Sequence, residues 1–60
     1  MNTKERFQAV LDYYGIGIER FANENGFNVA DCHRITPAVQ TAVNKMITAE
    51  PLLRIQCFGK

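Results

Sequence analysis

The sequence predicts an all-α fold, a small four-helix domain of the helix-turn-helix type with a short extended C-terminal tail. Three observations predict it. Two stretches place apolar residues along one helical face, Phe7, Val10, Leu11 and Tyr14 near the start and Val39, Ala42, Val43, Met46 and Ile47 further on. Between them, residues 18–35 read as two short helices held at an angle by a tight turn at Gly26. Gly15, Thr36-Pro37 and Glu50-Pro51 then punctuate the chain where helices must stop or start.

The first helix is expected over about 4–14, with Thr3 as its N-cap, Glu5 in its first turn and Gly15 as its stop. Gly15 and Gly17 do not imply a phosphate-cradling loop, because the preceding strand and third glycine of a dinucleotide fingerprint are missing. The second helix, about 18–25, buries Ile18, Phe21 and Ala22 and exposes Glu19, Arg20, Asn23 and Glu24. Ala22 allows close approach of the next helix, Gly26 takes the left-handed conformation, and Phe27 plugs the corner.

Asn28 is the expected N-cap of the third helix, about 29–35. Cys32 and Ile35, three apart, point back onto Phe21 and Ala22, which leaves Asn28, Val29, Ala30, Asp31, His33 and Arg34 facing outward. Thr36-Pro37 opens the fourth helix, about 37–49, with proline in the first helical position. Pro51 ends it. In the tail, 52–60, Leu53, Ile55 and Cys57 alternate with Arg54, Gln56 and Phe58, the period of a half-buried extended segment. The expected core is Phe7, Val10, Leu11, Tyr14, Phe21, Ala22, Phe27, Cys32, Ile35, Val39, Val43, Met46 and Ile47.

The stretch around Gly26 resembles the lambda-repressor-like (Cro and Xre) helix-turn-helix DNA-binding domains, especially short regulators of Bacteroides-type bacteria and their phages. The residues that carry the resemblance are Phe21-Ala22 before Gly26-Phe27-Asn28, Cys32 at an Ile or Val position, and His33-Arg34 where Ser-Arg is common. The opening KERFQAVLDYYGI is similar to the group's first helix, and TPAVQTAVNKMITAEPLLRI to its closing helix, proline and tail. The resemblance implies a transcriptional regulator that binds double-stranded DNA, with helix 29–35 in the major groove. It implies that Asn28, Val29, Ala30, His33 and Arg34 lie near bases or phosphates and that Arg20 reaches the backbone. The loop that usually precedes the fourth helix is shortened here, since Ile35 runs straight into Thr36-Pro37.

Charge pulls the other way. The net charge is +1, and residues 18–35 sum to −1, with Arg20 and Arg34 set against Glu19, Glu24 and Asp31. Phosphate binding favours a more basic surface, and Asp31 on the reading helix repels phosphate unless it accepts a hydrogen bond from cytosine. The low charge, Asp31 and the short loop favour an alternative, a phage or mobile-element protein-interaction module that keeps the fold without reading DNA sequence.

Cys32-His33 invites a nucleophile or metal reading, but neighbouring helical side chains point about 100° apart and His33 is the only histidine. No enzyme activity, cofactor or metal is expected. Two cysteines 25 apart are neither a disulfide framework nor a zinc spacing, so reduced thiols are expected. No apolar run approaches the ~20 residues of a membrane span, and MNTKERF is not followed by a signal-like apolar stretch, so the expected location is the cytoplasm. Sixty residues bury little core. A homodimer is therefore expected, with Leu53, Ile55, Cys57 and Phe58 of the tail at its contact, supported by Leu52.

Overall fold

Five helices follow one another in the computed structural model, which describes residues 1–59, and no strand occurs among the described residues. Helix α1 (Thr3–Tyr14) is capped by Asn2 rather than Thr3. The Asn2 side chain accepts the Glu5 N–H at 2.9 Å and the Glu5 carboxylate accepts the Asn2 N–H at 3.0 Å. That reciprocal box needs cap and carboxylate three apart, which Asn2 satisfies and Thr3 does not. Gly15 closes the helix in the left-handed conformation, φ 66°. Because α1 packs against both α4 and α5, its buried face widens to include Ala9 beside Phe7, Val10 and Leu11. Tyr14, expected in the core, is 45% exposed at the last turn, its ring edge-on to Tyr13 rather than packed inward.

Helix α2 (Ile18–Asn25) buries Phe21 and Ala22 completely and ends at Gly26, φ 72°. The Ala22 carbonyl accepts the N–H groups of both Gly26 and Phe27, the latter at 2.9 Å. This turns the chain sharply enough to lay Phe27 parallel to Phe21, with ring centroids 6.3 Å apart, while Phe7 meets Phe21 edge-on at 4.9 Å. Both geometries are favoured for aromatic quadrupoles.

Helix α3 (Val29–Arg34) stops one residue short of the expected 29–35. Ile35 is left-handed, φ 51° and ψ 63°, the one non-glycine residue with positive φ among those described. A β-branched residue there costs about 1–2 kcal/mol. The short connection explains the strain: only Ile35 and Thr36 separate Arg34 from Pro37, so the reversal falls on Ile35. Its side chain packs against the core and its carbonyl accepts the Gln40 amide at 3.1 Å, which offsets part of the cost. Helix α4 (Pro37–Ala49) buries Val39, Val43 and Ile47, with Met46 packed at the edge.

The C-terminal segment is helical, not extended. Helix α5 (Pro51–Phe58) lies against α1 and α4 and buries Leu53 and Cys57. Glu50 alone is extended, φ −113°, and serves as the C-cap of α4 and the N-cap of α5. Pro51 therefore starts a helix as well as ending one, as Pro37 does. The alternation also contained a helical spacing, Leu53 and Cys57 four apart, and with no strand to pair with, only a helix satisfies the backbone internally. Arg6 of α1 holds the end of α5 by placing its guanidinium 4.9 Å from the Phe58 ring. No helix among the described residues is long and apolar enough to cross a membrane.

Leu53→Ala is expected to destabilise the domain by about 2–5 kcal/mol, the range for emptying a fully buried leucine site. Gln56→Ala, on the exposed side of α5, should stay within about 0.5 kcal/mol. Urea denaturation followed by circular dichroism checks both, and equal effects would refute the docked helix.

Candidate nucleic-acid interface

Helix α3 is anchored by one fully buried side chain, Cys32, and presents its remaining surface to solvent. Asn28, Val29, Ala30, His33 and Arg34, all candidates from the sequence, are exposed on that side, with Val29 the most apolar at 37% exposure. Val29 to His33 and Ala30 to Arg34 are each four apart, so the set forms one continuous face. Asn28 occupies the N-cap position, but its side chain makes no capping hydrogen bond, which leaves its amide group available.

The two arginines are tied to carboxylates. Arg34 lies 2.9 Å from Asp31 on α3, and Arg20 lies 3.1 Å from Glu24 on α2. Asp31 thus has a partner within its own helix, which explains how a carboxylate sits on this face without repelling its neighbours. Such solvent-exposed pairs contribute about 0–1 kcal/mol each, so either arginine can exchange its carboxylate for a phosphate or base edge at small cost. Arg20 also borders an open pocket of about 290 Å³, floored by Phe21 and Met46 and edged by Tyr14 and Glu24.

A cation that the sequence reading did not single out belongs here. Lys4, on α1, borders the same small cleft as His33 of α3, about 110 Å³ in volume, whose walls include Phe7, Cys32 and Ile35. The signal was hidden because Lys4 lies on the polar side of an ordinary amphipathic helix, 29 positions from His33. Only the tertiary fold, which sets Phe7 of α1 and Cys32 of α3 on the walls of one cleft, brings the two to the same place.

The contact residues proposed from the tail separate. Leu53 and Cys57 are buried in the chain's own core and Phe58 is half-buried beside Arg6, so these three are not free for a dimer contact. Ile55, 58% exposed, keeps that possibility, joined by Leu52 at 69%. They stand three apart on the outer face of α5.

Both cysteines are buried and unbridged. Burial, and secondarily the charge of Asp31, pushes the Cys32 thiol above its ordinary 9.0, the opposite of what an activated nucleophile requires. Among the described residues no three His, Cys, Asp or Glu side chains gather to hold a metal ion.

The folded state therefore keeps the Cys32 proton more tightly than the unfolded chain does. Its contribution is complete below the ordinary thiol value and is lost as pH rises from there through the folded value. Stability is expected to fall above pH 9.0, and Cys32→Val should retain the fold and lessen that fall. Tyr13, raised from 10.0 mainly because its hydroxyl donates to Glu50, adds a loss at higher pH that the cysteine substitution leaves in place. Thermal melts across this range measure the difference, and identical pH profiles would refute it. No known protein family, curated protein or solved structure matches the chain.

Proposed function

We propose that the protein is a helix-turn-helix DNA-binding regulator, with α3 in the major groove of a duplex. The observation that carries the reading is the junction at Gly26. Two short helices are set at an angle by a left-handed glycine, the second is held by one buried residue, and five exposed side chains share its outer face. An element of that kind inserts into a groove about 12 Å wide. The resemblance to lambda-repressor-like domains rests on the same residues and supports the same docking. In it Arg34 forks onto a base or phosphate, His33 and Asn28 donate to the groove edge or backbone, and Arg20 meets the backbone. The protein acts in the cytoplasm as a homodimer, through Leu52 and Ile55 on α5, and a two-fold operator requires its two α3 helices to stand about 34 Å apart.

The second reading, a protein-interaction module without sequence-specific DNA binding, is favoured by the neutralised arginines and by the same Leu52 and Ile55 patch. The two readings differ in what Asp31 does. For a DNA-binding surface Asp31 competes with the nucleic acid for Arg34 and repels phosphate. For a module that binds protein alone, its removal has no bearing on DNA.

Titration with a duplex is expected to show modest affinity that weakens with salt. Asp31→Asn should tighten binding several-fold, and Arg34→Ala should cost about 1–3 kcal/mol if it forks onto a base. Absence of binding at low salt by both the wild type and Asp31→Asn would favour the interaction module. In sedimentation at micromolar concentration the wild type is expected to dimerise and Ile55→Glu to remain monomeric. A wild type that stays monomeric would refute the dimer.

A further inference from the structure

We propose that the cleft between α1 and α3 is a phosphate subsite, in which Lys4 and His33 together hold one backbone phosphate of the duplex docked on α3. The inference rests on the DNA-binding reading above. Lys4 and His33 come from different helices and border one cleft of about 110 Å³. Both are exposed, and among the described residues neither forms an ion pair, whereas Arg20 and Arg34 are each held by a carboxylate. The positive charge that faces α3 without an internal competitor is therefore on α1.

The cleft suits an anion for a second reason. Its walls include Phe7, Cys32 and Ile35, apolar groups that lower the local dielectric beneath a charge at the rim. A lysine ammonium supplies a mobile point charge, and an imidazole N–H donates to a phosphate oxygen in either protonation state. Gln8 also borders the cleft; one N–H of its amide donates to Asp12 at 2.9 Å, and the other is a further donor for an anion there. The shortened connection after α3 removes the place where a loop cation would otherwise meet the backbone. A contact from α1 replaces it.

Salt-dependent duplex binding by the full chain tests the subsite. Lys4→Met is expected to lower the slope of log K against log salt by about 0.9, the loss of one phosphate contact, which amounts to roughly a threefold change across 50–200 mM. His33→Ala should weaken binding by a similar factor, while Lys45→Met removes the same charge from α4 and should have a smaller effect than Lys4→Met. All three positions are exposed, and circular dichroism verifies the fold. If Lys4→Met binds like the wild type, or no worse than Lys45→Met, the subsite is refuted while the DNA reading stands. If neither the wild type nor Asp31→Asn binds the duplex at low salt, both fall. Inorganic phosphate alone, followed by the His33 ring resonances, should produce no saturable shift. Saturation by the free ion would make this a small-anion site and overturn its assignment to the DNA backbone.

Discussion

Phe21 is the residue on which the rest of the arrangement depends. It is fully buried, it meets Phe7 of α1 on an edge and Phe27 of the turn on a face, and its carbonyl accepts the Asn25 amide at 2.9 Å. Phe27 reaches it because the chain reverses at Gly26, with the Ala22 carbonyl taking both following N–H groups. Core packing and turn geometry are therefore one interaction. In a chain of 60 residues, which buries little apolar surface, an aromatic cluster that also sets the direction of α3 joins stability to the placement of the exposed face.

The other constraint is length. Ile35 and Thr36 must carry the chain from the end of α3 to the first turn of α4, and the cost appears as a left-handed isoleucine. The same economy removes any loop that could extend the exposed face of α3. What remains near α3 is its own outer face and Lys4 from α1, while Arg20 of α2 borders the pocket of Tyr14 and Met46. Arg20 and Arg34 are neutralised locally, which makes the net charge of +1 a poor guide to how charge is distributed around the helix. Weak surface pairs hold those arginines in place without committing them.

Helix α5 completes the core that four helices leave open. Leu53 and Cys57 seal the side of α1 and α4, and Arg6 lies over Phe58 at its end. Arg6 bears a cost there, since its Nε is buried without a hydrogen-bond partner. The outward residues, Leu52 and Ile55, are the part of the tail that retains apolar exposure. A segment with five apolar residues in seven thus divides into an inner pair, an edge ring and an outer pair once it coils.

The sequence by itself determined the all-α class, the stops at Gly15 and Gly26, the proline start of α4, most of the core and the exposure of Asn28, Val29, Ala30, His33 and Arg34. These are local matters. Glycine alone enters the left-handed region without cost, proline suits the first helical position, and a 3.6-residue period separates inner from outer faces. Tertiary structure decided what depends on neighbours in space. It made α5 a helix, because an extended tail had no partner, and it buried Ala9, because two helices cover α1. It left Tyr14 at the rim, drew Leu53 and Cys57 inward, and brought Lys4 beside His33. No period in the chain encodes the approach of α1 to α3, since that is set by how Phe7, Phe21 and Phe27 pack together.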